Sequence, residues 1–360
     1  MPIVAEITTT AGATGWDAFL EGSILGQFQQ SAAWAGVKAV EGWDGLCMVL
    51  KREGRIAGGA QVLHKRTRFG RLAFVNKGPV VEPGDMETRE EALRQLVTLQ
   101  RREGWRALLV QGPDGDPDGL EPLRRHGFVE ERLMNIIDST LMIDLGDGWE
   151  AVRGRFRRKA RRNLRPVADD PLTVVEGGEA DLETFFELMR NTCRRQGVRP
   201  NPGRIEGLRA MWEGFHPQGR IHVPFVERRG RKVAGGLCFC FRDRVTFWKK
   251  GWDPEGGGST VNFVLTAEVI RWAAERGYRW LDFATLDRDI AQAMARGEEP
   301  PEDLTDRRDF FNLSFGGQAH LLPGPMIRLA NPVAALGYRL ATSGPLLRRA
   351  QRVLRRLAVN

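Results

Sequence analysis

One pattern occurs twice in this chain of 360 residues. Glu53-Gly54-Arg55-Ile56-Ala57-Gly58-Gly59 leads through a strand-like stretch and a helical stretch to Arg101-Arg102-Glu103-Gly104-Trp105-Arg106-Ala107-Leu108-Leu109. Arg229-Gly230-Arg231-Lys232-Val233-Ala234-Gly235-Gly236 starts the same order again, closing on Ala274-Glu275-Arg276-Gly277-Tyr278-Arg279-Trp280-Leu281-Asp282. Gly54 and Gly230 are 176 residues apart, and Gly104 and Gly277 are 173 apart. That spacing is too long for a solenoid and right for a doubled domain. In each copy Gly-Arg predicts a tight turn, and Ala-Gly-Gly puts small residues where two strand backbones approach. Strands are expected over 46–50, 72–75, 223–226 and 245–248. The helical period buries Ala92, Leu93, Leu96, Leu99 and Gln100 in one copy, and Val264, Leu265, Val269, Ile270, Trp272 and Ala273 in the other. Gly104 and Gly277 stand at C-cap positions, with a strand directly after. Each copy reads hairpin, strand, helix, strand: an α+β layer with the helix packed on the sheet.

A hydrophobic content of 42% is enough for two compact cores. The four cysteines, Cys47, Cys193, Cys238 and Cys240, have no CxxC spacing, so reduced thiols are expected and no metal site. No apolar run of about 18 residues or secretory leader is present, which points to the cytoplasm. The net charge of +8 favours polyanionic partners: RNA, phosphorylated sugars or an anionic membrane face. Much of it is concentrated in 152–167. There Val152, Phe156, Ala160 and Leu164 form one apolar stripe of an expected helix, and Arg153, Arg155, Arg157, Arg158, Lys159, Arg161, Arg162 and Arg165 crowd the rest. Such a face either is simply solvated or holds phosphate, with Arg158, Lys159, Arg161 and Arg162 as the polyanion contacts. Residues 345–357 are also amphipathic and arginine-rich, suited to lying on the inner membrane face or packing on the protein body. Residues 287–308 read as a surface loop or a short helix.

Several segments, in order, resemble the FemABX family of peptidyltransferases, whose members pair two GNAT-like (acyl-CoA N-acyltransferase-like) domains. Phe28-Gln29-Gln30-Ser31-Ala32-Ala33-Trp34-Ala35-Gly36-Val37-Lys38 is similar to the family's Gln-Ser-x-x-Trp-x-x-x-Lys, and Lys77-Gly78-Pro79-Val80 to its Arg-Gly-Pro turn. Lys159 to Arg165 followed by Leu172-Thr173-Val174 resembles the opening of the second family domain. Leu188-Met189 through Thr192, Arg195 and Gly197 resembles Leu-Met-x-x-Thr-x-x-Arg-x-Gly. Leu281-Asp282-Phe283 and Phe311-Asn312-Leu313-Ser314-Phe315-Gly316-Gly317 resemble Tyr-Asp-Phe and Phe-Lys-x-x-Phe-Gly-Gly.

The resemblance implies domains over 1–150 and 151–319, with 320–360 packing back on the first, and a monomer. It implies a cytoplasmic aminoacyltransferase of peptidoglycan (cell wall) biosynthesis. An amino acid passes from aminoacyl-tRNA, a co-substrate rather than a cofactor, to an amine of an anionic precursor. Carried over by position, Lys38 and Trp34 with Arg195, or its neighbours Arg194 and Arg199, contact that acceptor, together with Lys249. Phe311 and Asn312 fall at the reacting end. Asn312 replaces the family's lysine, which leaves a hydrogen-bond donor without charge and puts the tRNA-dependent reaction in question. Asp282 is the candidate proton acceptor, its alternative being a turn cap.

Two other readings stay open. Gly256, Gly257, Gly258 and Ser259 lead from a strand to a helix start, with Lys249 and Lys250 alongside. Such a loop suits the pyrophosphate of acyl-CoA in an N-acyltransferase of a polysaccharide or lipid pathway. A non-catalytic RNA- or membrane-binding protein would use the arginine segments alone.

Overall fold

A computed structural model describes residues 2–68, 70–134, 136–165, 171–256, 258–298 and 308–342. In chain order the first part forms β1 (Ile3–Thr9), α1 (Trp16–Gly22), α2 (Ala32–Ala39), β2 (Asp44–Arg52), β3 (Arg55–Thr67), β4 (Gly70–Asn76), β5 (Val80–Val81), α3 (Met86–Arg102), β6 (Ala107–Gln111), α4 (Glu121–Arg125) and β7 (Val129–Glu130). Next come β8 (Ser139–Asp144), α5 (Gly148–Gly154), α6 (Arg158–Asn163), β9 (Leu172–Glu176), α7 (Leu182–Arg195), α8 (Ile205–Phe215), β10 (Ile221–His222), β11 (Pro224–Arg228), β12 (Arg231–Phe241) and β13 (Arg244–Trp252). The chain continues with α9 (Thr260–Glu275), β14 (Trp280–Asp282), α10 (Arg288–Ala295), α11 (Arg308–Leu313) and β15 (Gln318–Leu321), and ends with β16 (Met326–Leu329) and α12 (Pro332–Ala341).

The chain divides into two units, Met1–Asp138 with the segment from Leu322 onward, and Ser139–Leu321. The boundary lies at 138/139 rather than at the expected 150/151, because β8 pairs with β14 and β15 inside the second sheet. The first sheet runs β1-β2-β3-β4-β6-β16-β7, with β5 on β3; the second runs β15-β8-β14-β13-β12-β11-β9, with β10 on β12. Each contains one parallel pair, β4 with β6 and β13 with β14.

The doubled pattern is a doubled hairpin. Glu53 and Gly54 take φ of 53° and 76°, and Arg229 and Gly230 take 53° and 74°. Two successive positive φ values make the two-residue turn whose twist matches its strands, and glycine adopts the second at little cost. Both hairpins also shift register just before the turn, at Leu50/Lys51 and at Val226/Glu227. In the first unit Leu93, Leu96 and Leu99 of α3 pack on Met48, Ala60, Val75 and Leu108 of the sheet. In the second, Val261, Leu265, Val269 and Ile270 of α9 pack on Val226, Val245 and Leu281.

The basic stretch is not one helix. It breaks between α5 and α6, where Phe156 is buried edge-on to Phe315 and the Arg157 N–H donates to the Ser314 carbonyl. Burying that ring re-aims the chain, and the expected end at 166–167 lies outside the described residues. The segment 287–308 contributes α10, with residues 299–307 likewise outside. Among the described residues no helix is long and apolar enough to cross a membrane, and no cluster of metal-ligating side chains occurs.

Candidate active site in the second unit

β13 and β14 pair in parallel at only three positions, the last being Thr246 with Asp282. Beyond it β13 runs on to Trp252 against β12, while the Phe283 N–H turns to the Leu141 carbonyl of β8. The strands therefore part, and among the described residues no strand lies beside one edge of β13 from Phe247 onward. A parted strand edge of this kind can take up an extended amide group. In the first unit the corresponding end is bridged: the Gly78 N–H donates to the Gln111 carbonyl, and the Gln30 side chain joins the Asn76 carbonyl to the Gln61 N–H. Lys77, at φ 61°, pairs there with Asp114 at 2.5 Å.

A compact cluster stands where β13 leaves β14. Lys250 Nζ donates to Asn312 Oδ1 at 3.0 Å and lies 4.2 Å from the Phe311 ring, 5.5 Å from Phe247 and 5.8 Å from Phe283. Phe311 packs on Phe263 and Phe315, and Asn312 is only 2% exposed. Ring faces attract a cation, and their apolar bulk limits the water that would screen it. From sequence, Lys250 is expected only beside the glycine-rich loop, where with Lys249 it would suit either donor. Simple strand alternation would send Phe247 and Lys250 to opposite faces; the register shift opposite Leu237/Cys238 brings them to one face, while Lys249 lies over Trp248 at 5.1 Å.

The end of β13 is clamped to α7. Thr192 Oγ1 accepts the Trp252 N–H at 3.0 Å, and Arg195 Nη2 donates to the Trp252 carbonyl at 2.9 Å, its guanidinium 4.5 Å from the indole. Partial desolvation lowers the Arg195 pKa. Arg195 thus positions the strand while staying exposed; Arg194 and Arg199 are exposed nearby in sequence.

Two expected site residues have other work. Asp282 Oδ1 accepts from Thr140 Oγ1 at 2.6 Å and from the Ala284 N–H at 2.7 Å, and Arg244 stands 3.6 Å from Oδ2. Its carboxylate caps the following turn, where Ala284 has φ 64°. Trp34 is not a surface contact: it is 1% exposed, edge-on to Phe28, on a helix capped by Ser31. Lys38 pairs with Glu41 at 2.8 Å, one helical turn away.

The glycine-rich loop does lead into α9, but the Gly256 N–H donates to the Asp253 carbonyl and the Gly258 N–H to Pro254. Gly257 lies outside the described residues. Ser259 precedes the helix without a side-chain cap bond, so the loop turns two of its amides inward instead of presenting them to a phosphate. On α6, Arg158, Lys159, Arg161 and Arg162 are all exposed, whereas Arg153 and Arg155 of the preceding turns pair with Glu150 and Asp147.

Residues 152–293 match the family model described as an acetyltransferase (GNAT) domain. The crystal structure of FemX superposes with a TM-score of 0.74 at 18% identity, covering 94% of this chain and 100% of that one. A lipid II:glycine glycyltransferase of Staphylococcus aureus is 25% identical over 223 residues, which are 59% of this chain and 52% of that protein. The chain has a tandem GNAT-like fold that resembles that of FemX. The chain spans about half the length of the curated relatives it matches. Among solved folds of this tandem type, L-PGS from Bacillus licheniformis aligns with a TM-score of 0.54 at 10% identity, over 94% of this chain and 97% of that one.

Proposed function

We propose that this chain is a FemABX-type acyltransferase that joins an amino acid, carried as an ester on tRNA, to an amine of a peptidoglycan precursor. The observation that carries the reading is the parted end of β13, with the Lys250, Asn312 and Phe311 cluster beside it. Attack of an amine on an ester is downhill, so the protein's work is alignment of two substrates and stabilisation of a tetrahedral oxyanion. No strong base is needed, which agrees with an Asp282 already engaged in the fold. The relatives named lipid II:glycine glycyltransferases support a lipid-linked precursor as acceptor. The exposed cations of α6 suit tRNA phosphates. Lys38, Arg194, Arg195 and Arg199 remain the acceptor contacts suggested by resemblance, and the protein works as a monomer without a bound cofactor. Residues 345–357, which would touch the membrane face, lie outside the described residues.

The acyl-CoA reading draws less support, because the Gly256 and Gly258 amides are spent inside their own loop. The test is to incubate the protein with glycyl-, alanyl- or seryl-tRNA and the precursor, and to weigh the product. Gain of one amino-acid residue on the precursor is expected. Consumption of acyl-CoA with no aminoacyl transfer would replace this reading. Salt-sensitive RNA binding without turnover of either donor would favour the non-catalytic one.

A further inference from the structure

The geometry points to Lys250 as a catalytic residue of this chain, its ammonium held by Asn312 so that it donates to the oxyanion formed during acyl transfer; the inference rests on the acyltransfer reading above. Lys250 stands four positions beyond the last parallel pair, Thr246 with Asp282, about 13 Å along an extended strand. That places it in the stretch of β13 beyond its pairing with β14. Three features make it more than a surface lysine. The Asn312 amide it donates to is 2% exposed and fixed within α11. The rings of Phe311, Phe247 and Phe283 lie within 5.8 Å of the ammonium. Its neighbour Lys249 is directed elsewhere, over Trp248. An ammonium has three donors in tetrahedral directions, so anchoring one on Asn312 sets the directions of the others. Placed before reaction, such a donor needs little reorganisation when charge develops.

The step balances with the groups named. The acceptor amine forms a bond to the ester carbonyl carbon, and the π pair moves onto oxygen, where Lys250 donates a hydrogen bond. The intermediate collapses, the C–O bond to the ribose breaks, and the departing oxygen takes the proton the amine has lost. Lys250 remains protonated throughout. Asn312 is a positioning residue in this scheme, acting through Lys250.

The test is steady-state transfer by Lys250→Met, Lys250→Asn and the exchange Lys250→Asn with Asn312→Lys. Methionine fills the aromatic cage without charge, so Lys250→Met is expected to fold with an unchanged circular dichroism spectrum and to lose about 100- to 1,000-fold in kcat, KM staying within roughly threefold. Lys250→Asn is expected to fall likewise, and the exchanged pair, which returns a cation to the same place, to recover at least about tenfold over it. Lys250→Met within roughly twofold of wild type, or an exchanged pair no better than Lys250→Asn, overturns the assignment of Lys250 while leaving acyl transfer in place. A wild-type protein that turns over neither aminoacyl-tRNA nor acyl-CoA overturns both.

Discussion

Gly251 lies where α7 crosses β13, next to Lys250, and a methyl group has no room there. A Cβ at this position would stand 2.3 Å from the Met189 nitrogen, 2.4 Å from the Leu188 carbonyl carbon and 2.7 Å from its oxygen. All three are backbone atoms, so no side chain can rotate away. Ordinary contact needs about 3.5 Å, which requires α7 to retreat by roughly 1 Å. Overpacking of this kind costs about 1–3 kcal/mol. The retreat also strains the bonds from Trp252 to Thr192 and Arg195, each contributing about 0.5–1.5 kcal/mol. The lower entropy of the unfolded alanine chain offsets about 0.4–1 kcal/mol. A net loss of about 1–5 kcal/mol remains for Gly251→Ala, or a fall of about 2–20 °C in Tm for a unit of this size. Calorimetry of the full chain reads it as a shift in the second unit's transition, with Trp252 fluorescence reporting the clamp. Gly36→Ala is the control: Gly36 is exposed inside α2 with nothing within 4 Å, and should gain about 0.5–1 kcal/mol of stability. A Gly251→Ala protein melting within about 1 °C of wild type would refute the steric reasoning.

Two further outcomes follow from the fold. The Asp181 carboxyl is held below its usual range, first by the hydrogen bond from Lys232 and then by the Gly178 N–H. A depressed carboxyl adds stability above its unfolded value, near 3.9, and loses it as pH falls through the folded value. Urea melts of Asp181→Asn should therefore lie below wild type at neutral pH, by under about 1 kcal/mol because the pair is partly solvated, and converge with it in acid. A gap of equal size at both pH values would contradict this. Burial pushes the Cys47 and Cys240 thiols up to about 12, and raises Cys238 as well. A thiol reagent should accordingly find only Cys193 in the native protein and all four in denaturant, and a second fast native thiol would count against the burial.

Much of the architecture was legible because its signals are local. Gly54 and Gly230 announce their turns through backbone sterics, and the leucines of α3 and the aliphatics of α9 announce one buried face through period alone. The basic segment shows the limit of that signal. Val152, Phe156 and Ala160 keep a helical spacing and are all buried, yet the helix breaks because Phe156 must reach Phe315 and the Arg157 N–H must reach Ser314, both far along the chain. Trp34 and Asp282 illustrate a second limit. A tryptophan or a carboxylate has the same identity whether it lines a site or holds the fold, and only its neighbours tell which.

The replacement of a lysine by Asn312 came from the resemblance to a known family, and from residue pattern alone came the doubling and the order of hairpin, strand, helix and strand in each copy. Those are properties of residue type and short-range spacing. Tertiary structure decided that β13 parts from β14 after Thr246 while the first unit's end is bridged by Gly78 and Gln30. It also decided that Lys250 brings its charge to Asn312 across 62 residues of chain. Strand register and a side chain's final neighbours are set by packing of the whole unit, and no local pattern encodes them.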